Sequence, residues 1–409
     1  MKQQILITGP IKTRSGYGNH SRDICRALIE LDKYDIIINP VRWGNTPMNA
    51  LEEGNPHHDA IKSRLLTSPQ LPKQPDLHLH VVVPNEFTPI AKKNIGVTAG
   101  IENTLCVPKW IEGMNRMDMN IVTSQFTAQS FNNSKYDFKD EKTGQEGRIE
   151  IQKPMEVLFE GVDTNEYFET TDKDTELESV FEKIETDWNY LFTGHWLSGN
   201  IGEDRKDIGM MIKIFCETFK NKKKQPGLIL KTSSATFSVL DREDMIGRIQ
   251  RIKDTITGDL PKIYLLHGEL TDSQMNNLYN QDKVKAHVSF THGEGFGRPL
   301  LEAAQSGKPI IASAWSGHLD FLHKNHTILV GGSLTDVPKG SFPDEMTVEQ
   351  AKWFTVNYQQ ASNAFVEVYK NYNKYLIKAK QLQIHTKNSF SFEAMKSKLE
   401  TIVDGILKD

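Results

Sequence analysis

Cysteine is scarce in this chain. Cys25, Cys106 and Cys216 are the only three among 409 residues. Three widely spaced thiols make no disulfide framework and fall into no metal-ligand spacing, so a reducing cytoplasm is the expected setting. Long hydrophobic runs are missing as well. Ile5-Leu-Ile7 is strand-sized and far short of a secretory h-region, and nothing approaches the length that crosses a bilayer. No signal peptide is expected, and any membrane contact would be peripheral. Nor does one sign of charge dominate: 49 Lys and Arg against 53 Asp and Glu give a net charge of −4. That argues against a large nucleic-acid or anionic-membrane footprint. Repeats and low-complexity tracts are absent. What remains is 38% hydrophobic and 25% charged, the composition of a soluble globular protein. The length points to two domains rather than one core.

Short apolar runs alternate with helical patterns, which is the signature of parallel α/β domains. Strands are expected at Gln4–Thr8, Ile36–Ile38, Leu77–Val83, Ile95–Thr98, Met119–Thr123 and Met155–Phe159. Gly9 to Gly18 reads as a loop, with Asn19 capping a helix that carries Ile24, Leu28 and Leu31 on one stripe. Residues 43–76 read as mostly loop with one short helix at 60–66. Further helices are expected at Trp110–Met117 and after Ser124. The tract 170–185 is strongly acidic and reads as a solvated linker or surface helix. A second set of elements then begins: strand Asn189–Thr193, helix Ile208–Phe219, strand Gly227–Lys231, helix Arg242–Lys253, strand Lys262–Leu266 and helix Asp272–Tyr279. Strands at Ala286–Phe290 and Ile310–Ala312 follow, and Phe390–Leu407 reads as a terminal helix.

Chemistry concentrates after the Ala286–Phe290 run, in His292-Gly-Glu-Gly-Phe-Gly-Arg-Pro-Leu-Leu-Glu302-Ala-Ala. Pro299 suits the first position of a helix, where its missing N–H is not needed. Gly293, Gly295 and Gly297 allow close backbone approach to a ligand. A helix start with free N–H groups suits an anion such as a diphosphate. Glu294 and Glu302 beside an anion site make sense as acceptors of hydroxyl hydrogen bonds rather than as phosphate contacts. A nucleotide sugar offers both kinds of group. For Glu302 alone, a first-turn acid favoured by the helix dipole is the plain alternative, but it leaves Glu294 and the glycines unexplained.

Glu294 and Glu302, with seven residues between them that include Gly-Phe-Gly and a Pro, and with Gly307-Lys-Pro-Ile-Ile-Ala312 beyond, resemble the paired-glutamate motif of retaining GT-B glycosyltransferases of the family 4 type. The resemblance implies two Rossmann-like domains facing across a cleft, with a C-terminal helix crossing back to the first. The boundaries it implies are an acceptor-side domain at 1–162, joined by residues from about 388 to 409, an acidic linker at 163–187, and a nucleotide-sugar domain at 188–387. It implies a retaining transfer of a sugar from a nucleotide sugar, UDP-sugar favoured, to an acceptor hydroxyl on a glycan or small molecule. Neither metal nor bound cofactor is implied. Glu302 would accept from the ribose hydroxyls and Glu294 from the sugar. Gly293, Gly295, Phe296 and Gly297 would frame the donor. Arg205 and Lys206, after the second domain's first strand, would hold the diphosphate, Arg as a planar fork and Lys as a point charge. Their plain alternative is a solvated helix start.

Weaker candidates complete the expected site. Gly16 and Gly18 lie in a strand-to-helix loop resembling the glycine-bearing loop of these enzymes, although a tight turn explains them equally well. Glu102 lies on a loop bordering the expected reaction centre, and Lys231 ends a strand. Either reads equally as solvated. Asp172-Lys-Asp174, His57-His58, His78, His80 and Lys222-Lys-Lys224 are read as surface or packing residues. Other functions stay open: a phosphorylase or epimerase on the same scaffold, a nucleotide-sugar-binding protein without turnover, or a viral-type enzyme glycosylating hydroxymethylated DNA bases.

Overall fold

The computed structural model describes residues 2–68, 70–71, 73–139, 144–197, 200–234, 237–343 and 345–408. In chain order the elements are β1 (Gln4–Gly9), α1 (Gly16–Glu30), β2 (Asp35–Pro40), α2 (Pro56–Lys62), β3 (Leu77–Val81), β4 (Lys93–Thr98), α3 (Pro108–Asn115), β5 (Met119–Val122), α4 (Gln125–Asn133), β6 (Tyr136–Lys139), β7 (Glu146–Ile149) and β8 (Met155–Val157). They continue with α5 (Thr175–Phe181), β9 (Asn189–Thr193), α6 (Ile208–Phe219), β10 (Gly227–Lys231), α7 (Val239–Asp254), β11 (Ile263–Leu266), α8 (Asp272–Asn280), β12 (Val284–Ser289), α9 (Arg298–Ala304) and β13 (Ile310–Ser313). The last are β14 (Ile328–Val330), β15 (Gly332–Asp336), β16 (Lys352–Val356), α10 (Tyr358–Lys370), α11 (Tyr372–Ser389) and α12 (Phe392–Lys408).

The chain forms two compact units. The first contains Met1–Gly161, Glu345–Ala351 and Phe392–Asp409; the second contains Val162–Asp344 and Lys352–Ser391. The first is built on a parallel six-stranded sheet in the order β2-β1-β3-β4-β5-β8. Its core joins Ile5, Ile7, Leu79 and Val97 of the sheet to Leu28 of α1 and to Met395, Leu399 and Val403 of α12. The terminal helix thus completes this core, and Tyr34 donates to Asp404 across the same contact. The hairpin β6–β7 is a separate antiparallel pair in the tract 132–150, of which 140–143 lie outside the described residues.

The second unit repeats the plan in the order β11-β10-β9-β12-β13-β14, again all parallel. From β9 the chain moves outward through β10 and β11, then returns to place β12 on the other side of β9. The sheet therefore has a switch of direction between β9 and β12, where ligands bind in open α/β sheets, at the carboxyl ends of the strands. α6 packs against this sheet because Ile208, Met211, Ile212, Phe215 and Phe219 recur at helical spacing, and all five are buried. Tyr190, Phe215, Phe219 and Phe365 close an aromatic centre beneath it.

Local caps correct several sequence expectations. α1 begins at Gly16 rather than after Asn19, because the Ser15 side chain accepts from Gly18 N–H. Asn19 instead accepts from Arg22. The short helix lies at Pro56–Lys62 rather than 60–66, since Asn55 caps it by accepting from His57 and His58 N–H, with Pro56 in its first turn. Asp174 caps α5 in the acidic tract. The second unit also holds the hairpin β15–β16 and helices α10 and α11, which the sequence reading did not name.

Candidate functional site

The site grows from the two loops that leave β9 and β12. After β9 the chain runs to the turn Asp204-Arg-Lys-Asp207 and enters α6; residues 198–199 of that connection lie outside the described residues. The Asp204 carboxylate accepts from Ile208 N–H at 3.0 Å and Gly209 N–H at 3.4 Å, capping the helix. Asp207 occupies the N-cap position in the left-handed region, at φ +52°. Its N–H donates to Asp204 O at 2.8 Å, which folds the turn tightly and presents Arg205 and Lys206.

The loop after β12 is fastened to that turn. His292 N–H donates to Arg205 O at 2.9 Å, and Arg205 Nη1 donates to Gly293 O at 3.2 Å. Lys206 Nζ is paired with Glu294 Oε1, and Arg205 Nη1 lies 3.6 Å from Glu294 Oε2. Only about a tenth of the Lys206 and Glu294 side chains is exposed. Burial pushes the Glu294 carboxyl up, but the Lys206 ammonium and then the Arg205 guanidinium outweigh it and hold the group below its ordinary range. A narrow cavity at this point is lined by Thr193, Lys206, Tyr279, Glu294, Gly297 and Pro299.

Glu294 is also fixed from behind. Its N–H donates to Ser316 Oγ at 3.0 Å, and its carbonyl accepts from Gly317 N–H at 2.9 Å. Ser316 adopts φ +80° to make this contact, a strained conformation for a residue with a side chain. A Cβ on Gly317 would lie 2.1 Å from Gly295 O and 2.8 Å from Glu294 O. Gly317→Ala is therefore expected to cost about 1–3 kcal/mol by overpacking and to lower activity by pushing the Glu294 loop forward. Urea denaturation and turnover of the variant check both parts.

Glu302 falls one turn deeper than expected. α9 starts at Arg298, after Gly297 in the left-handed conformation at φ +97°, so Pro299 is the second helical residue and Glu302 the fifth. Helix-end electrostatics therefore do not account for Glu302. Its Oε1 accepts from Arg298 Nε at 2.9 Å and its Oε2 from Tyr279 Oη at 3.3 Å. Burial, partly offset by Arg298, pushes its pKa up to about 7. Next to it Tyr167 Oη donates to Asp272 at 2.9 Å.

The remaining expected residues are placed as follows. Lys231 ends β10, donates to Gly268 O at 2.5 Å and lies over the Phe237 ring; burial lowers its pKa to about 8. Phe296 turns inward and packs on Phe321 and Phe390. In the first unit, Gly18 is occupied by packing: a Cβ there would lie 2.2 Å from Thr13 O. Gly16 has open space around it. Glu102 is half-buried on the loop after β4. Close by, Tyr17 Oη bonds Thr98 Oγ1 at 2.8 Å, accepts from Ala99 N–H at 3.0 Å, and stacks its ring on Trp43. The structure thus brings Arg205, Lys206 and Glu294 into direct contact. Tyr279, Arg298 and Ser316 were missed by sequence reading. Of these only Arg298 carried a signal, a base four residues ahead of Glu302 on one helix face.

Residues 259–336 match the family described as Glycosyl transferases group 1. The match includes both glutamates and begins after Arg205 and Lys206. No curated protein sequence matches the chain. Solved structures resemble it over its whole length. Anabaena HepE in complex with UDP and glucose is 13% identical, with a TM-score of 0.64 over 98% of this chain and 100% of its own. A sucrose-phosphate synthase from Thermosynechococcus elongatus is 13% identical, with a TM-score of 0.66 over 100% of both chains. A glycosyltransferase from Rickettsia africae is 14% identical, with a TM-score of 0.66 over 100% of this chain and 99% of its own. The two Rossmann-like units are those of the GT-B fold, and the sequence match bears out the expectation of a glycosyltransferase.

Proposed function

We propose that the protein is a retaining, metal-independent glycosyltransferase of the paired-glutamate type, transferring a sugar from a UDP-sugar to an acceptor hydroxyl. The observation that carries this reading is the buried cluster of Lys206, Arg205 and Glu294 at the β9/β12 switch of the second sheet. Two fixed cations in a water-poor site stabilise charge growing on a leaving diphosphate. Glu294 holds them in place until a donor arrives, then accepts from the sugar hydroxyls. Glu302, pinned by Arg298 and Tyr279, accepts from the ribose hydroxyls.

In the reaction the bond from the anomeric carbon to the diphosphate oxygen breaks, and a bond from the acceptor oxygen to that carbon forms on the same face. The acceptor proton passes to the departing phosphate. Charge neutralisation by Arg205 and Lys206 supports the metal-free reading. The choice of UDP is supported by HepE, which was solved with UDP-glucose. Glu102 is retained as an acceptor or donor contact, and Gly16 and Gly18 as positions where the backbone approaches donor phosphate or acceptor. A cytoplasmic setting is supported by three cysteines that are all buried and unpaired. No described helix is long and apolar enough to cross a membrane.

Nucleotide release from UDP-, GDP- and ADP-sugars without acceptor tests the reading. The expected result is slow hydrolysis of one donor, with UDP-sugars first, and its loss in Glu302→Ala. No release from any donor, together with no thermal stabilisation by any of them, overturns it.

A further inference from the structure

Behind the cation pair lies a second titratable pair that the proposed reaction does not use. Asp207 and His292 are both fully buried, and Asp207 Oδ1 lies 3.7 Å from His292 Nε2. Neither Asp207 oxygen, nor His292 Nε2, has a hydrogen-bond partner among the described residues. The other imidazole nitrogen is committed: Nδ1 lies 2.7 Å from Phe354 O, and so carries a proton. The ring is stacked on Trp353 at 3.9 Å and 12°. A buried carboxyl with no bonded partner is costly, and Asp207 adds the strain of φ +52°. Its neighbour Asp204 already caps α6, so helix capping does not explain it. The backbone of Gly202 also faces the imidazole, Thr355 Oγ1 lies 3.5 Å from Nδ1, and Asp204 and Tyr358 are further polar groups near the pair.

The chain around the pair shows what it governs. Asp207 directly follows Arg205 and Lys206, and His292 precedes Glu294 by two residues. His292 is tied to both sides: its N–H donates to Arg205 O, and its carbonyl accepts from Phe354 N–H at 3.0 Å. We infer that Asp207 and His292 are a pair of positioning residues, a buried acid and base facing each other at 3.7 Å between Oδ1 and Nε2, whose contact holds the 204–207 turn against the 291–294 loop and so sets Arg205 and Lys206 against the diphosphate. This inference rests on the proposed transferase reading. Burial disfavours the charged form of each partner, raising the Asp207 pKa and lowering that of His292 to about 4.

Three variants test it. Asp207→Gly removes the carboxyl and suits a positive φ, so it relieves strain rather than adding it. His292→Phe keeps the stack on Trp353 and removes both nitrogens. Asp207→Asn keeps a polar group of the same size facing Nε2 and tolerates the left-handed conformation. Binding of UDP and of uridine is measured for each. UDP affinity is expected to fall about tenfold or more in Asp207→Gly and His292→Phe, with uridine affinity unchanged and Asp207→Asn close to wild type. That split separates misplaced cations from general loosening. Hydrogen exchange over 202–208 and 291–295 is followed in parallel, with faster exchange expected only in the first two variants. If wild type binds no UDP, the choice of UDP as donor nucleotide fails, and the exchange pattern alone then decides the pair's role. Wild-type UDP affinity and exchange in Asp207→Gly and His292→Phe would overturn the inference. So would Asp207→Asn behaving like Asp207→Gly.

Discussion

Lys206→Ala is expected to lower donor turnover by about 10²–10³-fold, the cost of removing one preorganised group that stabilises charge in the transition state. The same change should be visible in stability, through Glu294. In the native protein this carboxyl is held below its ordinary pKa of 4.5. It therefore contributes stability that is present above the unfolded pKa and lost as pH falls through the folded one. Without Lys206, burial prevails over the remaining Arg205 contact at 3.6 Å. The Glu294 pKa then rises above 4.5, and the variant loses stability as pH increases from about 5 to 8. Breaking a buried ion pair costs about 3–5 kcal/mol. Arg205 retains part of the interaction, so the loss lies at or below the lower end. Adding Glu294→Gln should recover stability without restoring turnover. Melting temperatures from pH 5 to 8 and acceptor-free donor hydrolysis measure both effects. Turnover within threefold of wild type in Lys206→Ala would remove Lys206 from the reaction.

The cation pair was legible because its position rests on strands and helices with plain patterns. β9, α6 and β10 were read to their terminal residues, since each is a continuous or helically spaced apolar run ended by Gly, Asp or Lys. The start of α1 was misread because two glycines at 16 and 18 depress helix propensity. Packing of Gly18 against Thr13 O overrides that local preference, and the Ser15 cap then wins over Asn19. α2 lies earlier than the expected 60–66 because Asn55 caps it and Pro56 opens it. Within the site, charges adjacent in sequence could be paired on paper, but contacts that depend on tertiary structure could not. Ser316 reaches Glu294 N–H from the loop after β13, and Tyr279 reaches Glu302 from the end of α8. Asp207 and His292 are 85 residues apart, and nothing in either neighbourhood announces the other.

Glu302→Gln is expected to abolish donor use while making the protein more stable at alkaline pH. The native carboxyl has its pKa raised to about 7 from 4.5. As pH rises through 4.5 the unfolded chain ionises freely and the folded one does not, so native stability declines between about pH 4.5 and 7. Above pH 7 the full penalty, at most about 3 kcal/mol, is present. Glutamine removes the ionisation; its carbonyl oxygen can accept from Arg298 Nε while its amide N–H donates to Tyr279 Oη, so it gives up the charge of the Arg298 contact and reverses the Tyr279 bond. The variant should therefore melt above wild type at pH 8 and show no such gain at pH 5. In the proposed role of Glu302 donor binding is expected to need the ionised form, so that two ribose hydroxyls find acceptors. Wild-type donor affinity should weaken below about pH 7, and binding at pH 6.5 should release protons, measurable by calorimetry in buffers of different ionisation enthalpy. Binding without proton release would show that Glu302 is already ionised or is not a donor contact. A lower melting temperature of Glu302→Gln at pH 8 would show that the contact with Arg298 outweighs the cost of burying the charge.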